Sequence, residues 1–212
     1  MKFGPIRTVV LPIGEDARFL RAVPDYPHPR SGTALVVGTG PGFMEEYAEA
    51  SRLRPGAFVV AVNKAAGFVR ADAIFSMHYA LMSKWIRAHD LAWGTREMRP
   101  ETHSGCRDNP DMLVKLDELY GTWIDYLWPI ANSWGSSGWA AGKMCRAMGC
   151  DEVILCGVPL AHENEGNWAN WQDIGDYREG MRREAENEPD VAAGIKSMSG
   201  YTREILGAPD GA

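Results

Sequence analysis

Between Thr33 and Phe43 the chain reads T-A-L-V-V-G-T-G-P-G-F, an apolar run that stops at three glycines and then turns helical. Ala34 to Val37 are apolar at every position, the pattern of a central parallel strand covered by helices on both faces. Gly38, Gly40 and Gly42 admit positive φ and close backbone approach. The helix predicted to begin near Glu45 and Glu46 would offer its first N–H groups to an anion. Thr39 and Pro41 complete the turn. The spacing G-x-G-x-G departs from the dinucleotide fingerprint G-x-G-x-x-G, so a mononucleotide or sugar nucleotide fits better than NAD. A glycine-rich strand-to-helix turn that binds nothing would read the same way.

Three β-α steps follow one another closely. Ala57–Val62 is a second buried strand ending at Asn63, and Ala73–Met77 a third ending at His78. This predicts a single Rossmann-like, doubly wound α/β domain over residues 1–212, its core over 33–160, with a mostly parallel sheet and helices on both faces. Ile6–Ile13 reads as an edge strand or extended arm because of its prolines, and 14–32 as a long surface connection. A helix is expected over Tyr79–His89 and a loop over 91–111. Met112–Leu116 fits a strand or a helix reaching Tyr120. Gly138–Met148 is helical with Gly149 as its cap, Asp151–Gly157 is a strand, and 158–175 is a polar loop. Asp176–Asn187 reads as a charged surface helix, and Ile195–Leu206 closes the chain. The loops 91–111 and 158–175 are placed on the ligand side.

The chain has 212 residues, 45% of them hydrophobic and 24% charged, as expected of one globular core. No apolar stretch approaches the ~20 residues that span a bilayer, and the first residues lack a signal-peptide pattern, which predicts a cytoplasmic protein. A net charge of −6 argues against general duplex-DNA binding. Cys106, Cys145, Cys150 and Cys156 form no C-x-x-C pair and no zinc spacing, so they read as reduced thiols and no metal site is expected.

In open α/β sheets ligands bind beyond the carboxyl ends of the strands. Asn63 stands there, able to donate and accept toward a ribose or base, or simply to end its strand. Asn132-Ser-Trp-Gly-Ser-Ser-Gly138 precedes a helix, so Ser136 or Ser137 is its natural N-cap and Gly138 opens a second anion site. His162 lies in the loop after the strand ending at Gly157, and His78 at the end of the third strand. Either can serve as general acid or base near neutral pH, or be an exposed histidine without a role. Trp123, Trp128, Trp134, Trp139, Trp168 and Trp171 are concentrated in one stretch. Those in loops could stack on a base or sugar, or join copies of the chain in a homo-oligomer.

The series V-V-G-T-G-P-G-F, V-V-A-V-N-K-A, A-D-A-I-F-S-M-H and S-S-G-W-A-A-G-K-M-C-R-A-M-G-C-D-E-V-I-L-C-G-V resembles a broad Rossmann-like group. That group includes bacterial sialyltransferases that use CMP-sialic acid, flagellin-modifying motility accessory factors, archaeal hydroxymethylpterin diphosphokinases, and uncharacterised phage and prophage proteins, the last being the closest in look. The resemblance spans about residues 33–160. It implies that Gly38, Thr39, Gly40, Pro41, Asn63, Ser136, Ser137 and Gly138 hold a nucleotide, with Gly42 beside them in the same turn. Many relatives have Gly-x-Asp where this chain has Gly157-Val-Pro159. The activity implied is that of a glycosyltransferase-like enzyme with a sugar nucleotide as donor; the sialyltransferases' catalytic histidine lies farther along the chain, so His162 or His78 is assigned to assist proton transfer by its position at the ligand edge. One alternative is a phosphoryl or diphosphoryl transferase using Mg²⁺ held by carboxylates such as Asp72 or Glu163. Another is a non-catalytic nucleotide-binding phage accessory protein.

Overall fold

The computed structural model describes residues 21–22, 26–94, 99–106, 123–129, 136–160 and 174–212. Eight strands form one sheet: β1 (Arg21–Ala22), β2 (Thr33–Val37), β3 (Phe58–Val62), β4 (Ala73–Ser76), β5 (Glu101–Cys106), β6 (Tyr126–Pro129), β7 (Glu152–Cys156) and β8 (Ile195–Ser197). Their order is β1-β6-β5-β4-β3-β2-β7-β8, and every neighbouring pair is parallel. The helices are α1 (Phe43–Leu53), α2 (Met82–Trp93), α3 (Ser137–Met148), α4 (Ile174–Asn187), α5 (Pro189–Ala193) and α6 (Gly200–Leu206), with 3₁₀ turns at Asn63–Gly67 and Tyr79–Leu81. This is the Rossmann-like α/β fold expected from the strand pattern. Among the described residues no helix is long and apolar enough to cross a membrane.

Side chains alternate across the pleat and build two cores. Ala34, Val36, Val60, Phe75, Val153 and Leu155 face α3, which contributes Trp139, Ala140, Met144 and Met148. Leu35, Val37, Ala61, Ile74 and Ile154 face the other way, toward Ala50 of α1 and Met82 and Ile86 of α2. Both faces are covered, so the central strands need apolar residues throughout.

β5 lies inside the expected loop 91–111. Glu101-Thr-His-Ser104 carries too many polar side chains to show an apolar run, yet Thr102, His103 and Ser104 are fully buried. Each is satisfied by a neighbour: Thr102 bonds Asp125 at 2.8 Å, Ser104 donates to the Ser76 carbonyl at 2.9 Å, and Trp128 Nε1 donates to His103 Nδ1 at 3.0 Å. Tertiary partners override the local pattern here. The helix expected from Tyr79 begins as a 3₁₀ turn and runs on to Trp93, where Gly94 ends it at φ 74°. The segments 6–13 and 112–116 lie outside the described residues.

The environment of His103 sets a pH dependence. Because the Trp128 indole can only donate, His103 Nδ1 must be unprotonated, and its Nε2–H faces Glu101 Oε2 at 3.3 Å. Burial holds the imidazole below its ordinary value, against the pull of Glu101. Burial opposes ionisation of Glu101 too, but hydrogen bonds from His103 and Tyr26 and the charge of Arg30 overcome it and carry the carboxyl down to about 2. The unfolded chain thus binds more protons than the fold below about pH 6.5 through His103 and below about 4.5 through Glu101, so stability falls with acid through both windows. The Glu101 share is at most ~3 kcal/mol. Melting curves from pH 8 to 4 with histidine ring NMR check this, with His103 expected to take up its proton below the ordinary histidine range, and to hold one tautomer while neutral, as the melting temperature drops. A His103 ring that titrates near 6.5 in the folded protein would contradict it.

Candidate functional site

β2 sits between β3 and β7, and the connections that leave these strands diverge, α1 to one face and α4 to the other. The carboxyl ends of β2 and β7 therefore flank the topological switch point, where open α/β sheets form their ligand crevice. The turn 38–42, Asn63, His78, residues 136–138 and residues 157–160 all lie at this edge.

The glycines of the turn make close contacts within the protein. Gly38 N–H donates to the Cys156 carbonyl at 2.7 Å and Gly40 N–H to the Gly157 carbonyl at 2.9 Å. A Cβ on Gly38 would stand 2.5 Å from Gly157 O, and one on Gly40 2.5 Å from Pro159 Cδ. Gly138 is held as tightly, with a Cβ placed 2.6 Å from Val158 Cγ1. The turn 38–42 and the first turn of α3 thus both close on residues 157–159. The sequence expectation that Gly40 is small to admit a phosphate acquires a second physical cause, the packing of one loop on another.

The two helix N-termini at this edge differ. At α1, Gly42 is the N-cap at φ 74°, the first turn carries Glu45 and Glu46, and Glu46 Oε2 accepts Gly157 N–H at 2.7 Å. Carboxylates already complement this helix end and repel a second anion. At α3, the Ser136 hydroxyl accepts Trp139 N–H at 3.2 Å, the predicted N-cap, and the first turn holds no acidic residue. Ser137 beside it is partly exposed. Electrostatics favours α3 over α1 for a phosphate.

Asn63 adopts φ 54°, unusual for a residue with a side chain, directly after β3. Its Oδ1 accepts the Ser76 hydroxyl at 2.7 Å, and Ser76 Oγ accepts His78 N–H at 2.9 Å. Ser76 is fully buried, Asn63 half-buried and His78 exposed. Pattern reading did not single out Ser76 or Glu46. Each is polar at a position where only its partner across the fold reveals its use.

His162 and Glu163 lie outside the described residues, as do Trp134, Trp168 and Trp171. Trp128 and Trp139 are core residues, whereas Trp123 is 43% exposed. Asp72 stands at the opposite edge, where its carboxylate accepts Val59 N–H at 2.9 Å. It cannot share a metal with groups at the carboxyl edge, so the Mg²⁺ alternative loses one of its two named ligands. Among the described residues no cluster of three metal-ligating side chains occurs. Cys145, Cys150 and Cys156 are buried free thiols, and burial raises all three, Cys150 to about 11, so they act as small apolar groups.

A cleft of about 560 Å³ opens at the amino edge, lined in part by Arg30, Thr33, Arg54, Phe58 and Asp72. Its arginines are engaged: Arg54 binds Glu152 through two nitrogens at 2.7 and 3.0 Å, and Arg30 meets Glu101 at 3.5 Å while stacking over Phe58. The charges cancel inside the protein, and the crevice at the switch point is the better candidate.

No protein-family model matches the chain, and no curated protein matches it. Among solved structures, it is similar to the sialyltransferase CstII from Campylobacter jejuni in complex with a substrate analogue, CMP-3FNeuAc, with a TM-score of 0.55 at 12% identity over 84% of this chain and 85% of that one. The likeness extends over most of both chains and shows a shared α/β fold.

Proposed function

We propose that the chain is a glycosyltransferase-like enzyme that takes a nucleotide or sugar nucleotide in the switch-point crevice. The observation that carries this reading is Asn63, held at φ 54° with its Oδ1 engaged by Ser76 at the carboxyl edge. At a strand end, an amide whose NH₂ has no partner among the described residues offers a ligand two donors. The α3 N-terminus with Ser137 receives the phosphate, and the turn 38–42 walls the crevice. The fold shared with an enzyme solved with a CMP-sugar analogue supports the ligand class, and the phage and prophage resemblance rests on the motif series alone.

In transfer, the acceptor hydroxyl oxygen bonds to the anomeric carbon as the bond to the phosphate oxygen breaks. The hydroxyl proton passes to a histidine and the nucleotide leaves as its phosphate. His78, exposed at this edge, and His162, five residues beyond Gly157 in the sequence, are the two groups for that proton.

Thermal shift and calorimetry against CMP, UDP, GDP, ADP and their sugar conjugates, with and without Mg²⁺, test the reading. A metal-independent shift with one nucleotide class is expected, and Asn63→Ala should weaken that binding by about 1–3 kcal/mol. A shift with ATP alone that needs Mg²⁺ would move the assignment to phosphoryl transfer. Loss of melting temperature without loss of affinity would assign Asn63 to turn structure.

A further inference from the structure

Ser76 has no exposure, ends β4, and makes two hydrogen bonds that leave it no contact with solvent. Its hydroxyl has one proton. Because Oγ already accepts His78 N–H, a main-chain donor that cannot reverse, the hydroxyl proton is free to go to Asn63, and the partner it finds there is Oδ1. An asparagine amide can present either its oxygen or its NH₂, and the two faces are nearly isosteric. Oγ keeps a second lone pair and could accept Nδ2 as well, but the buried hydroxyl proton would then have no acceptor partner among the described residues, and that cost holds the oxygen toward Ser76. Asn63 is turned with its oxygen toward Ser76 and its two Nδ2 donors away from it, and among the described residues those donors have no protein partner.

We infer that Ser76 is a positioning residue that sets the polarity of the crevice: it makes Asn63 an obligate donor, so the ligand group read there is an acceptor oxygen, carbonyl or phosphoryl, and an amino group is rejected. The inference rests on the proposed nucleotide site and adds which chemistry that site accepts. The same hydroxyl joins Asn63 to the main chain of His78, so the binding amide and one of the two candidate proton acceptors share a single anchor. An outward Nδ2 left facing a ligand amine would put donor against donor and leave both unsatisfied, which is the physical basis of the rejection.

A double-mutant cycle on the nucleotide bound by the wild type, with CMP the first probe, separates positioning from scaffolding. Ser76→Ala is expected to weaken CMP roughly tenfold, Asn63→Ala by a similar or larger factor, and Ser76→Ala in the Asn63→Ala background to cost nothing further, since Ser76 acts through the amide. Ser76→Thr, which keeps the hydroxyl, restores affinity. Asn63→Asp, which accepts from Ser76 and offers a second acceptor outward, should lose CMP more severely than Asn63→Ala. Equal losses for Ser76→Ala in both backgrounds, or Asn63→Asp binding as well as the wild type, would overturn the assignment while leaving the nucleotide site standing. A wild type that binds none of CMP, UDP, GDP or ADP overturns the site itself, and the inference with it.

Discussion

Glu184→Ala is expected to lower stability by about 3–5 kcal/mol, which for a chain of this size shifts the melting temperature by roughly 6–20 °C. Glu184 on α4 accepts from Lys143 Nζ at 2.5 Å and from Trp139 Nε1 at 2.7 Å, both on α3. Lys143 is only 3% exposed. Removing the carboxylate strands a buried ammonium and an indole N–H in the core between α3, α4 and the sheet, and that uncompensated charge is the source of the loss. Replacing both ions, Lys143→Met with Glu184→Leu, should recover most of it, because an apolar pair needs no charge partner. Denaturant melts of the three variants decide the matter. A loss below about 1 kcal/mol for Glu184→Ala would mean that water reaches Lys143.

Gly157→Ala should cost about 2–5 kcal/mol and disorganise the crevice in the same step. Gly157 follows β7 at φ 65°, and a Cβ there would stand 2.3 Å from Phe43 Cβ and 3.0 Å from Gly38 O. The left-handed conformation costs about 1–2 kcal/mol for an L-residue, and forcing a methyl between two fixed loops adds about 1–3 kcal/mol. Its N–H also holds Glu46 and its carbonyl holds Gly40, so displacement opens the turn 38–42 toward α1. Both melting temperature and nucleotide affinity should fall. A variant with native stability and native affinity would show that the loops can part without consequence, against the contacts that join them.

Much of this protein was legible in its residues. The apolar runs at 33–37, 58–62, 73–76 and 152–156 cannot be solvated on either face, so they predicted a parallel sheet covered on both sides, and they occupy its centre. The Ser136 cap and the Gly149 stop of α3 follow from local chemistry, since a side-chain oxygen satisfies Trp139 N–H and a glycine accepts φ 104°. Such features are set within a few residues, and sequence therefore carries them.

What depends on distant partners was decided by the tertiary structure. β5 reads as a loop because its buried polar residues are satisfied by Asp125, Trp128, Ser76 and Glu101, none of them predictable from spacing. α4 reads as a charged surface helix, yet Glu184 turns inward because Lys143, 41 residues earlier, waits for it. The glycines of 38–42 were legible as a turn, but only the meeting of β2 with β7 shows that they close on Gly157 and Pro159, and that Asn63 is oriented by a serine one strand away. Hydrophobic periodicity records whether a strand is buried. It does not record which polar group waits on the next strand, and at this crevice that pairing determines which atoms remain free to meet a ligand.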